Sequence, residues 1–202
     1  MSHVATPEPV EFALPRDGLT LRGLRWPGGD HAVVLVHDPG ADLDSWQDLP
    51  EDLTQAGYTV LAFDLPGHGL SDGDWRLALL DPAVAAALGF ALNAGARAAF
   101  LIAAGVSAMT TVPDFRARVA LSPRLISPDP APSRLPPSPT LILAGSGDDE
   151  REQAQRFFRV TTDWAVLSTF GGAPSGAALL RSDWAAQARE QIRTFLADYR
   201  LR

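Results

Sequence analysis

The chain has 202 residues, of which 46% are hydrophobic and 20% charged. That is long enough to bury a sizeable core and too apolar for default disorder. The net charge of −7 opposes non-specific binding to nucleic acid or to an anionic membrane surface, and the lack of cysteine removes disulfides and thiolate metal sites.

Residues 1–9 carry Pro7 and Pro9 and no periodicity, so a loose tail is expected. The tail has no basic start followed by an apolar core, which argues against a secretory leader. Val10, Phe12 and Leu14 alternate as in a half-buried strand, Asp17-Gly18 is a turn signal, and Leu21, Arg22, Leu24 and Trp26 continue as a second strand. Pro27-Gly28-Gly29 ends it. Ala32 to His37 is apolar and β-branched, the pattern of a buried parallel strand. Trp46, Leu49, Leu53 and Ala56 fall at helical spacing, with Pro50 in the first turn and Gly57 as the stop.

Tyr58 to Phe63 reads as a strand, and residues 64–73 as a glycine-rich loop. Asp81-Pro82 predicts a helix start with Asp81 as N-cap, Val84, Leu88 and Ala91 as the inner stripe and Gly95 as the end. Ala98 to Met109 is an apolar run that breaks at Gly105-Val106-Ser107-Ala108, suiting a doubly buried strand followed by a turn that lifts a hydroxyl clear of the sheet. The helix after it is expected to be short, because Pro113 interrupts it. Val119 to Leu121 is a brief strand, and residues 123–139 form a proline-rich connection. Thr140 to Ala144 is a strand, residues 145–149 a loop, Gln153 to Phe158 a helix and Trp164 to Phe170 a last strand. Ser182 is expected to cap a final helix whose apolar face is Trp184, Ala188, Ile192, Phe195, Leu196 and Tyr199. The alternation of strand and helix predicts one α/β domain over residues 1–202, with a parallel sheet covered on both faces.

Four segments in this order resemble the α/β-hydrolase family: VVLVHDPG at 33–40, FDLPGHGLSDG at 63–73, AAGVSA at 103–108, and LILAGSGDD at 141–149 followed by FGGAPSGAALL at 170–180. The resemblance implies a mostly parallel eight-stranded sheet, here without a cap domain, since only the proline-rich segment fills the cap's usual slot. It also implies acyl transfer by a Ser, an acid and a His in that chain order. By resemblance, Ser107 matches the nucleophile and Asp148 the acid, while Ser175, before Gly176, stands in the slot of the His. A serine hydroxyl needs a base to take its proton, and histidine serves because its pKa lies near neutrality. The histidines are His3, His31, His37 and His68, so none follows position 68 and the base is missing. They also lack the spacing of a helical zinc site, and neither a metal nor a cofactor is expected.

The family's oxyanion donors map near Asp38, Pro39 and Gly40 and onto Ala108. Pro39 has no N–H to give, although a one-residue shift would let Gly40 donate. Met109 stands where the motif's second glycine belongs and is expected to crowd the site. These departures point to a hydrolase-like protein that is catalytically impaired and acts by binding a small apolar or ester-like ligand or a partner. The alternative is a weak ester hydrolase using Ser107. A cytoplasmic monomer or homodimer is the expectation, with no membrane span and no nucleic acid.

Overall fold

A computed structural model describes residues 6–126, 135–161 and 164–200. Eight strands form one sheet in the order β1-β2-β4-β3-β5-β6-β7-β8. They are β1 Glu8–Leu14, β2 Leu19–Trp26, β3 His31–Val36, β4 Thr59–Phe63, β5 Ala98–Ala104, β6 Phe115–Leu121, β7 Thr140–Gly145 and β8 Ala165–Phe170. β2 runs antiparallel to β1 and β4, and all other neighbours are parallel. β3 and β5 form the centre, with Val33 opposite Phe100 and Leu35 opposite Ile102. Their side chains are buried on both faces, which is why they read as unbroken apolar runs.

Four α-helices cover the sheet: α1 Leu49–Gln55, α2 Leu80–Asn93, α3 Asp148–Val160 and α4 Ala185–Arg200. Val34, Val36, Leu101 and Ala103 face α2 and α3, which contribute Val84, Ala87, Leu88, Ala154 and Phe157. Val33, Leu35, Phe100 and Ile102 face α1 and α4, which contribute Leu53, Ala188, Ile192 and Leu196. Each fully buried side chain of this kind contributes about 1.5–3 kcal/mol. Among the described residues no helical insertion separates β6 from β7, and none of them forms a cap.

Several expectations are corrected. β1 already starts at Glu8, within the segment 1–9 expected to be a loose tail, and residues 1–5 lie outside the described residues, as do 127–134 of the proline-rich connection. The helix expected from Trp46 is a 3-10 turn, Leu43–Trp46, followed by α1 as a separate element, because Gln47 takes φ +51° between them. Asp81 is not an N-cap. α2 begins at Leu80, two residues before the expected first helical residue Pro82, and the Asp81 carboxylate instead accepts from the hydroxyls of Thr110 and Thr111 and the N–H of Thr111. β6 is longer than the three residues expected, and α3 starts at Asp148, inside the expected loop.

The largest departure follows β5. No α-helix lies between β5 and β6. Residues 105–109 make a 3-10 turn, and the chain then runs straight into β6. Parallel neighbours normally need a helical crossover. Here the guanidinium of Arg118, on β6 and 3% exposed, donates to the carbonyls of Thr110 and Val112 and ties the short connection down.

Candidate functional site

In a parallel sheet of this kind ligands bind outside the carboxyl ends of the strands. At that edge the structure brings together the ends of β3, β5, β6 and β7 and the segment after β8. Gly105 follows β5 directly and has φ +56°, the left-handed region that glycine enters freely. A Cβ at this residue would stand 2.2 Å from the Asp38 carboxylate. The carboxylate therefore fills the space a side chain at 105 would occupy. Its Oδ1 accepts from the Val106 N–H at 2.8 Å, and its Oδ2 is paired with Arg124.

Ser107 lies two residues further on. It is 0% exposed, and its hydroxyl donates to the His37 carbonyl at 2.6 Å. The turn thus buries this hydroxyl instead of lifting it clear of the sheet. Neither nearby imidazole bonds to it. His37 is fully buried, Nε2 accepts from the Leu65 N–H at 3.0 Å, and Nδ1 meets the Asp38 carbonyl at 2.9 Å. Accepting at Nε2 and donating at Nδ1 requires the neutral ring, and burial, the dominant cause, pushes its pKa below the ordinary value. His68 accepts the Gly40 N–H on Nε2 at 3.0 Å, and its ring packs edge-on to His37 at 5.1 Å. Asp64 holds both loops in place by accepting from the N–H groups of Leu43 and Leu70.

The Gly40 N–H is therefore engaged by His68, Pro39 has none, and the Val106 N–H is engaged by Asp38. Ala108 is buried inside the 3-10 turn. Met109 does not crowd the strand ends as expected, because it packs into the core on the α2 and α3 side. Asp148 is the first residue of α3, and its side chain lies outside the described residues. Ser175 does arrive at the site. With Asp38, Gly105, Ser122, Arg124 and Arg181 it lines a cavity of about 200 Å³. A Cβ on its neighbour Gly176 would lie 4.0 Å from the Ala104 side chain, beside the end of β5. Arg118 lies behind the site, its pKa lowered to about 10 by burial, against which Asp81 acts.

Residues 33–201 match the sequence profile described as the alpha/beta hydrolase family. The chain belongs to that family. An esterase from Pyrococcus furiosus superposes with a TM-score of 0.78 at 17% identity, covering 96% of this chain and 92% of that one. A monoacylglycerol lipase from Paleococcus ferrophilus gives 0.68 at 19% identity, over 96% of this chain and 99% of the other. In sequence, 55 residues are 47% identical to the dihydrolipoyllysine-residue acetyltransferase component of the acetoin cleaving system of Cupriavidus necator. That match takes in 27% of this chain and spans only 14% of the relative's length.

Hydrolases of this family mount the nucleophile on a sharp turn directly after the strand and use the N–H of the next residue as an oxyanion donor. The backbone puts Gly105 at that turn and Val106 after it. In sequence Gly105-Val106-Ser107 reads as G-x-S, whereas the left-handed φ of the turn lies at Gly105. The available signal was Ala103-Ala104-Gly105-Val106-Ser107, which also has small residues two positions either side of its centre. Arg124 and Ser122 were missed as well, since neither stands in a motif.

Proposed function

We propose that this alpha/beta hydrolase-fold protein is catalytically impaired and works by binding a small ligand, or a partner, at the ends of its strands. The observation that carries this reading is the Asp38 carboxylate resting on the Val106 N–H, against a glycine at the turn. Acyl transfer needs a nucleophile with a base, and two N–H groups aimed at the developing oxyanion. Here the turn residue has no side chain, Ser107 is buried against a carbonyl, and Ser175 brings a hydroxyl where an imidazole is needed. A carboxylate on the donor also repels a second negative charge. The walls, with Arg124, Arg181, Ser45 and Ser175, favour a polar ligand over the apolar one the sequence suggests.

Turnover of p-nitrophenyl butyrate by the purified chain tests the proposal. The expected rate equals that of an unreactive protein at the same concentration and is unchanged in Ser107→Ala. Turnover well above that level, lost in Ser107→Ala, overturns it in favour of an ester hydrolase using Ser107.

A further inference from the structure

β8 is the last strand of the sheet and pairs only with β7 among the described residues. Its outer edge therefore carries a row of backbone N–H and C=O groups that meet no other described strand, a template for a further strand. Natural sheets blunt such an edge with charge or proline. β1, at the opposite edge, does so with Glu8, Pro9 and Glu11, and Pro9 has no N–H to offer. β8 reads AVLSTF, with neither charge nor proline.

The side chains around β8 point the same way. Trp164, just before the strand, is 61% exposed, and Val166 is 56% exposed. Val166 lies on the sheet face of Phe170, which Trp184 helps to cover, but remains open itself. Phe158 of α3 is also exposed. It stands about 140° round the helix from Gln153, whose Oε1 accepts from the Leu125 N–H after β6. Gln153 thus marks the flank of α3 toward the middle of the sheet, and Phe158 the flank toward its edge. On a chain of net charge −7, an uncharged edge is where two copies approach with least repulsion.

A second copy fits this edge. An antiparallel two-fold pairing matches a strand with itself, each donor meeting an acceptor of the same strand. α3 packs over β7 and β8. With strands about 4.8 Å apart, the two α3 helices would lie roughly 10 Å from each other, the spacing of packed helices. The two-fold also makes them antiparallel. α3 carries Asp149 and Glu152 in its first half and Arg156 and Arg159 in its second. Antiparallel copies set acid against base at both ends, whereas parallel copies would set like against like.

We propose that two copies of this chain associate through β8, antiparallel and about a two-fold axis, into one continuous sheet flanked by paired α3 helices.

Sedimentation velocity of the full chain at tens of micromolar tests it, and should give twice the chain mass. Val166→Lys puts a charge on the exposed edge and should weaken association at least tenfold. Glu152→Arg and Arg159→Glu should each weaken it at least tenfold, because like charges then face each other across the two-fold. An equal mixture of those two variants should recover association, since every facing pair is again of opposite sign. The chain has no cysteine, so a short bismaleimide should cross-link Ser168→Cys, near the middle of β8, and leave Asp17→Cys at the far edge single. A monomer in sedimentation overturns the proposal and leaves the edge to a strand of another protein. A dimer that keeps its affinity in folded Val166→Lys, gains nothing on mixing the charge variants, or cross-links through Asp17→Cys overturns it in favour of a different interface.

Discussion

Gly105→Ala probes the geometry at the turn most sharply. A residue with a Cβ held at φ +56° is disfavoured by about 1–2 kcal/mol. The added methyl would meet the Asp38 carboxylate at 2.2 Å, so that carboxylate must swing away. The Val106 N–H then loses a charged acceptor, a loss of about 1.5–3 kcal/mol. Arg124 is more than half exposed, at 56%, so its ion pair adds about 1 kcal/mol or less. The substitution should therefore destabilise the fold by about 3–5 kcal/mol, a large part of the roughly 5–15 kcal/mol typical of a folded chain. With a urea dependence of about 2–3 kcal/mol per molar, the unfolding midpoint should fall by roughly 1–2 M. In an Asp38→Ala background the same change meets only the backbone term, about 1–2 kcal/mol. A double-mutant cycle should thus give a coupling of about 2–3 kcal/mol. A cost below about 0.5 kcal/mol for Gly105→Ala, or simple additivity with Asp38→Ala, would refute the placement of the carboxylate against the turn.

Three further outcomes are expected. Because burial depresses the His37 pKa below 6.5, the unfolded chain takes up that proton first on acidification. Stability present above about pH 6.5 should then be lost as pH falls toward the folded-state value, at up to about 1.4 kcal/mol per pH unit. Urea midpoints measured from pH 7.5 to 5 check this, and an equal slope in His37→Gln would contradict it. Arg118→Met strips buried donors from the carbonyls of Thr110 and Val112 and should destabilise by about 3–5 kcal/mol, whereas a loss under about 1 kcal/mol would contradict the clamp. Ser175→His puts an imidazole in the slot that the sequence resemblance implies for the base, yet it should give no ester turnover, because the turn residue remains glycine. Activity appearing in that single variant would point back to Ser107 as nucleophile.

The strands were readable because burial on both faces leaves continuous apolar runs, as in Val33–Val36 and Leu141–Leu143. The apolar stripe of α4 was equally plain at Ala188, Ile192 and Leu196, all fully buried, whereas Trp184, expected on the same face, precedes the helix and is exposed. Features set by distant partners were not. Asp81 looked like a helix cap because Pro82 follows it, but its acceptors are used by Thr110 and Thr111, far along the chain. Arg118 interrupts an apolar strand and reads as a solvent-facing residue, while the carbonyls it serves belong to the connection that replaces a helix. At the site, the lack of any histidine after position 68 is plain in the sequence. The register of the turn is not, because a dihedral angle at one glycine decides it. The role of Asp38 depends on the same angle, since the carboxylate has room only above a residue without a Cβ.

The central claim is that no hydroxyl at the strand ends is armed for acyl transfer. Intact-protein mass spectrometry after incubation with an alkyl fluorophosphonate, which adds covalently to activated serines, tests it most directly. The account predicts an unmodified mass and no adduct on Ser107 or Ser175. Stoichiometric phosphonylation of Ser107, abolished in Ser107→Ala, would contradict it.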